Sequence, residues 1–591
     1  MGFLRVLRFP PTVQRRAVLR RIRTNTLKME SLADPRVPAA SMELTATTVS
    51  VGLFMVFLGL LYWYSVSPFS KLKRIGIKHP KPFPFVGNMF LFQKGFFEGH
   101  QELVQKYGRV CGQEPCIRTV GKSLFHYYFG RRATMLIAEP EMLKQILVKD
   151  FSNFVNRMKV VFSSKPLIDS LLFLQDADWK NVRSVLTPTF SSAKMREMCP
   201  LINQATDMLM ENLKTHADSG NGFDIHRYYG CFSMDVVASV AFGTQVDSQK
   251  NPEDPFVKHA KMVFNIDFFK PLIFLSIIFP SIMMPVRHLM PRTPISQVNA
   301  FFIGVIKDII AQRDQQPSDK RRRDFLQLML DARISTEFTP VEKFDIANSN
   351  GQIEESPATQ KANHTATENP PKVQKRILTL DKIVGQAFIF FAAGYETTSS
   401  TLAFTSFLLA THPESQELLL KEVDEFFESH TTPDYNNVQN LPYLDMVISE
   451  SLRMYPPGVR FGRVCEKDCW VKGHFIPAGM IIEVPVGVLH YDPEYWREPE
   501  KFKPERFTPE MKAERHPFVY LPFGAGPRNC IGMRLALLQA KIALVRILSK
   551  YSFQTCPETQ VPMQIKSSGT LGPKEGVFLK IVPRERETRG Q

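Results

Sequence analysis

Along most of the chain the apolar and polar positions read as helix, with a little strand near Gly108–Glu139 and again around Val471–Val486. One run departs from that pattern. From Leu44 to Tyr64 no residue is charged, and Val49–Leu61 is strongly apolar. About twenty such residues span a bilayer, and Tyr62, Trp63 and Tyr64 supply an interfacial aromatic belt. Lys71, Lys73, Arg74, Lys78 and Lys81 follow, which puts the downstream chain in the cytosol by the positive-inside bias. His79-Pro-Lys-Pro-Phe-Pro-Phe-Val-Gly87 then forms a stiff spacer. A second apolar stretch, Met262–Met290, is broken by prolines 271, 280 and 285 and cannot be one continuous span. It reads either as a second contact dipping into the bilayer or as core packing. Asn348–Lys372, rich in Asn, Gln, Thr, Pro and charge, reads as a flexible surface loop.

Composition changes this picture in three places. A chain of 591 residues has the length of several domains, but no break in composition divides it, so residues 91–585 are expected to form one large catalytic unit after a linker at 65–90. The first 41 residues carry nine Lys/Arg against two Asp/Glu, a large share of the net +16. Two readings stand: a start extended upstream of Met42, or a mitochondrial-type leader. No basic run interleaved with aromatics suggests nucleic acid. Eight cysteines lack metal-type pairs, so all except Cys530 are expected to be ordinary reduced thiols.

Cys530 carries the chemistry. It lies in Phe523-Gly-Ala-Gly526-Pro-Arg528-Asn-Cys530-Ile-Gly532, ahead of a helical run from Met533 to Leu548. Glycines beside it allow a turn with φ > 0 that holds the sulfur before a helix N-terminus, where the dipole favours thiolate. Such a cysteinate is a fifth ligand for haem iron. Upstream, Glu450 and Arg453 lie one helical turn apart, and Arg506 offers another guanidinium. Trp179 and Arg183, four apart on a helix, reach one edge together. Phe388–Thr398 is an apolar helix interrupted by Gly394, Glu396 and Thr397.

These motifs, in this order, resemble the cytochromes P-450. The resemblance implies a mainly α fold with small β-sheets, an N-terminal transmembrane anchor helix and haem b bound through Cys530. It also implies that Trp179, Arg183, Arg460 and Arg528 meet the propionates, and that Phe523, Gly526 and Gly532 shape the sulfur side. Glu450, Arg453 and Arg506 become a structural ion network. Gly394 leaves room above the iron, and Glu396 with Thr397 relays protons. In that family the chain passes directly from Gly112 to Tyr127, so Gln113–His126 is expected to be an insertion.

Longer stretches, among them Asp235–Gly243, Asp324–Arg333 and Cys556–Pro562, are similar to the thromboxane synthase branch. That branch isomerises prostaglandin H2 to thromboxane A2 by homolysis of the endoperoxide O–O bond, oxidation of the carbon radical and ring closure. A side branch gives a C17 hydroxy acid and malondialdehyde, and neither O2 nor reductase electrons are consumed. One departure keeps an alternative open. The branch carries an aliphatic residue where this chain has Thr397, and an intact Glu396–Thr397 pair suits a monooxygenase of lipophilic substrates fed by an NADPH-dependent reductase. Either enzyme is expected in the endoplasmic reticulum membrane, among its lipids, with the catalytic unit cytosolic.

Overall fold

In the computed structural model the described residues are 39–70, 80–107, 124–159, 164–244, 246, 248–251, 254–264, 268–286, 294–317, 321–322, 324–334, 378–567 and 569–584. Two units divide the chain, Met1–Ser67 and Pro68–Gln591. In the first, helix α1 (Ala39–Val66) keeps its large apolar side chains outward, with Leu53 66% and Leu60 60% exposed. A helix that is apolar all round and uncovered has lipid as its solvent. Ala46–Phe69 is long and apolar enough to cross a membrane, which fits a single N-terminal anchor.

The second unit is mainly helical. Its elements include α2 (Phe96–Tyr107), α3 (Asp176–Leu186), α4 (Ser192–Ser219), α5 (Ile225–Phe242), α6 (Pro271–Ile278), α7 (Pro280–Val286), α8 (Leu380–Thr411), α9 (Pro442–Met454) and α10 (Met533–Leu548). Capping fixes their ends. The Ser191 hydroxyl accepts from Lys194 N before α4, and the Asp224 carboxylate accepts from His226 N before α5. Gly220 and Gly243 close the same two helices in the left-handed conformation. α8 runs through the middle of the core; most of its side chains are buried, as its apolar composition requires. Thr379 caps its first turn through Lys382 N.

A four-stranded sheet flanks the helices in the order β1 (Leu124–Phe129), β2 (Arg132–Ile137), β6 (Ile481–Val484), β3 (Phe461–Val464). β2 and β6 are parallel; the other two pairs are antiparallel. Leu124, Phe125 and His126 pair with Ile137, Leu136 and Met135, so the last three residues of the expected insertion belong to the sheet. Its remainder, 113–123, lies outside the described residues, as does the expected loop 348–372. A short hairpin, β4 (Cys469–Val471) with β5 (His474–Ile476), turns at Lys472 and Gly473, both at positive φ.

The second apolar stretch forms α6 and α7, each opened by a proline that needs no N–H donor there. Ile278 is buried, whereas Leu275 and Ile282 face outward.

Candidate active site

The cysteine loop is held by its own backbone. Cys530 N donates to Phe523 O at 2.9 Å, Gly524 N to Leu521 O at 3.0 Å and Asn529 N to Gly526 O at 3.0 Å. Gly524 and Gly526 sit at φ of 71° and 72°. A Cβ on Gly526 would lie 2.0 Å from the carbonyl oxygen of Leu147, so no side chain fits there. Gly532 differs from expectation. It caps α10 at φ −88°, and among the described residues nothing lies within 4 Å of where a Cβ would stand, so it relieves no strained backbone. Phe523 is half-buried and packs on the main core.

Cys530 keeps exposed surface although protein surrounds it closely. Burial pushes its thiol up; the Gly532 N–H, then Arg183, Arg157 and last the Met533 N–H, pull it back. The helix-end effect is present, and burial outweighs it.

Around this sulfur the structure gathers Trp179, Arg183 and Arg528, all expected, with Arg157 and Arg463, which the sequence reading lacked. Arg183 donates to both oxygens of Asn529, at 3.0 and 2.8 Å. Arg528 donates to Val155 O at 2.6 Å and Leu174 O at 2.5 Å, and stacks 4.8 Å over the Trp179 ring. Val464 N donates to Asn156 O at 2.8 Å, which joins the neighbours of Arg157 and Arg463. Asn156 also pairs with Asp176, accepting from its N at 2.8 Å, and so ties the same segment to α3.

This group is over-charged. Burial lowers Arg157 and Arg183 to about 10 and Arg528 to about 9, and lowers Arg463 further. Arg157 also bears on Arg183, Arg463 and Arg528, each cation making the next less tolerable. Among the described residues, the carboxylate that opposes the trend is Asp176, acting on Arg528. The Nε atoms of Arg157, Arg183, Arg463 and Arg528 and the Trp179 indole nitrogen are buried with no hydrogen-bond partner among the described residues. Buried donors and uncompensated charge are costly. A ligand with two carboxylates, seated beside a thiolate, satisfies all five donors, so the residues present fit a haem with its propionates.

Arg460 goes elsewhere. Its Nη1 meets Glu483 Oε2 at 2.5 Å, and its guanidinium lies 3.5 Å from the Phe96 ring centroid. Glu483 also bonds His100 at 2.7 Å and Tyr127 at 2.7 Å. Burial raises its carboxyl pKa, but Arg460, His100 and Tyr127 outweigh burial and hold it near about 2. Arg460 is thus paired with a buried carboxylate, whereas Arg463 lies with Arg157 and Arg528 in the buried arginine group.

On α8, Gly394 does not open space. A Cβ there would lie 2.4 Å from Val237 Cγ2, so the glycine permits close contact with α5. The exposed face carries Ala393 and, one turn on, half-exposed Thr397. Thr397 Oγ1 donates to Ala393 O at 2.7 Å. Glu396 is buried and reaches Lys566 Nζ at 3.2 Å. Acid and alcohol therefore each have a separate partner.

Glu450 grips Arg453 at 2.7 and 2.9 Å and Arg506 at 3.2 Å, with every member buried. Arg453 also donates to His490 O at 2.8 Å and Pro499 O at 2.8 Å, so the network is well satisfied. His490 extends it toward the site. Its Nδ1 meets Arg453 O at 3.1 Å, and Nε2 accepts from Leu521 N at 2.9 Å, just before the cysteine loop.

A family model described as Cytochrome P450 matches residues 77–356 and 361–581. The chain is 49% identical over 544 residues to Thromboxane-A synthase of Macaca fascicularis, covering 92% of this chain and 98% of the relative. It is 48% identical over 546 residues to Thromboxane-A synthase of Sus scrofa, covering 92% and 99%. Similarity to Cytochrome P450 3A29 of Sus scrofa is 38% over 546 residues, covering 91% and 97%.

Proposed function

The chain belongs to the cytochrome P450 family, and from that premise we propose that it isomerises prostaglandin H2 to thromboxane A2, with a C17 hydroxy acid and malondialdehyde as side products. The observation that carries this reading is the 49% identity to a thromboxane-A synthase along 92% of the chain, against 38% for the 3A29 relative. The family uses haem iron with a cysteine thiolate; here the group is haem b and the ligand is Cys530. When bound, the haem supplies the one-electron chemistry that cleaves the endoperoxide O–O bond and oxidises the carbon radical.

The protein's part is to bind, orient and keep protons away. Arg157, Arg183, Arg463, Arg528 and Trp179 would hold the two propionates of a bound haem, since their buried donors have no partner of their own among the described residues. Ala393 and Thr397 form the α8 face toward the substrate. The Thr397 hydroxyl is committed to Ala393 O, and Glu396 is turned to Lys566, so neither supplies the proton a peroxide isomerase has no use for. α1 anchors the enzyme in the endoplasmic reticulum membrane, where prostaglandin H2 partitions, with the catalytic unit on the cytosolic side.

The second reading, a monooxygenase served by an NADPH-dependent reductase, rests on the presence of Glu396 and Thr397 side by side. One experiment separates the two. Purified holoenzyme given prostaglandin H2 without reductase or NADPH should form thromboxane and malondialdehyde, and Thr397→Ile should keep most of that activity. Strict dependence on NADPH, lost in Thr397→Ile, would transfer the assignment to the monooxygenase.

A further inference from the structure

Lys566 reaches into the core from a surface turn to meet Glu396. Its Nζ stands 3.2 Å from Glu396 Oε1, with the lysine side chain 40% exposed and the glutamate 3%. Two short strands, Ile565–Lys566 and Gly572–Pro573, set Lys566 opposite Gly572. A Cβ on that glycine would lie 3.2 Å from Lys566 Cε, 3.3 Å from Ser400 Oγ and 3.4 Å from Glu396 Oε1, so its absence clears a path for the lysine stem. The turn is tied down on both sides. Ser567 O accepts from Phe96 N at 3.2 Å, and Leu571 N donates to Pro457 O at 2.9 Å.

The contact is electrostatic rather than an aligned hydrogen bond. Glu396 Oε1 and Ser400 Oγ are buried with no hydrogen-bond partner among the described residues. A buried carboxylate is costly without a cation, and among the described residues Lys566 is the one cation that Glu396 pairs with. Successive helical residues point about 100° apart, so a Glu396 that faces Lys566 is held off the α8 face carrying Ala393 and Thr397. Remove the ammonium, and a lone buried carboxylate takes up a proton and becomes an acid beside that face.

That difference bears on how a peroxide O–O bond breaks. Homolysis leaves one electron on each oxygen and needs no proton. Heterolysis leaves the pair on a departing alkoxide, which an acid must protonate, and a positioned acid speeds such a step ~10²–10⁴-fold. An endoperoxide isomerase needs the first and is harmed by the second.

We propose that Lys566 is a positioning residue that keeps peroxide cleavage homolytic, by pairing the Glu396 carboxylate and holding it off the Thr397 face. This role rests on the isomerase reading of the reaction.

The test gives cumene hydroperoxide to holoenzyme without reductase or NADPH. With one electron from the haem, the hydroperoxide yields hydroxide and a cumyloxyl radical, which sheds methyl radical to become acetophenone. With two electrons and a proton it yields hydroxide and 2-phenyl-2-propanol. Wild type should give mainly acetophenone. Lys566→Met should raise the ratio of alcohol to ketone about tenfold or more, the lower end of what a positioned acid contributes. Lys566→Met/Glu396→Gln should return to the wild-type ratio, and Lys566→Arg should keep it. Infrared spectra supply a readout without turnover: Lys566→Met should gain the carbonyl band of a protonated carboxylic acid, and Glu396→Gln should remove it. Should Lys566→Met lose haem, Lys566→Gln is read the same way, with a ratio raised about threefold or more, since an amide keeps a hydrogen bond but no charge. An unmoved product ratio, a gain that survives Glu396→Gln, or no new carboxylic acid band would each overturn the lysine's role. Failure of wild type to form thromboxane from prostaglandin H2 is a separate result: it would sink the isomerase reading, whereas the product ratios sink or sustain the lysine's role by themselves.

Discussion

Arg460 and Arg463 stand three positions apart, with two residues between them, and they end in different surroundings. Arg463 lies within β3 and Arg460 just before it, and side chains an odd number apart along extended chain point to opposite sides: one to Glu483, the other to the buried group of arginines. The motif around Arg460 was legible in the sequence, but which arginine of the pair turns inward depends on where the strand begins. Arg157 was illegible for another reason: it lies in coil, and long-range backbone bonds such as Val464 N to Asn156 O bring it in. Cys530, Trp179, Arg183 and Arg528, by contrast, lie in local motifs whose spacing suffices. Arg463→Leu should therefore lose most of its haem, read as Soret absorbance per protein, whereas Arg460→Leu should retain haem and lose stability by leaving Glu483 short of its charge partner. The opposite ranking would return Arg460 to the site. Spacing also hid a thiol pair. Cys465 and Cys469, taken from sequence as ordinary thiols, hold their sulfurs 3.7 Å apart. Burial, then Cys469, pushes the Cys465 thiol up to about 12, so an oxidant reaches half-exposed Cys469 first. Diamide should remove two hydrogens and crosslink the pair, as the sulfurs close to a bond of about 2.05 Å. An unchanged peptide mass would refute this.

The packing of elements turns on the contact between α5 and α8. The extent of α10, Met533–Leu548, was readable from the sequence, whereas of α8 only Phe388–Thr398 was read against the observed Leu380–Thr411, and the pattern does not say which neighbour each glycine accommodates. Gly394 accommodates Val237, and an added side chain there overpacks a contact with no slack. Gly394→Ala should lower stability by about 1–3 kcal/mol, the usual cost of overpacking. Trimming the opposing residue in Gly394→Ala/Val237→Ala should recover much of it in a urea titration. Additive losses would mean that the glycine serves the catalytic space after all.

At the scale of the whole molecule, acid sensitivity follows from two buried histidines. Burial first, then Lys566 for His226 and Arg453 for His490, holds each at about 3. An unfolded histidine titrates near 6.5, so above that pH both states are neutral and stability is level. Below it the unfolded chain takes up protons that the folded one refuses, and stability falls by up to about 1.4 kcal/mol per pH unit per histidine until about pH 3. Urea midpoints should be flat above pH 6.5 and decline toward pH 5, and His490→Gln should remove about half of the slope. A profile indifferent to that substitution would exclude His490 from the latch between Arg453 and Leu521. The arginine group has a consequence of another kind. Four cations that repel one another in the interior are a defect in the polypeptide alone and an asset once a dianion is seated among them. The polypeptide should therefore be markedly less stable without its prosthetic group, and haem extraction should lower the urea midpoint; an unchanged midpoint would mean that the repulsion is relieved within the polypeptide itself.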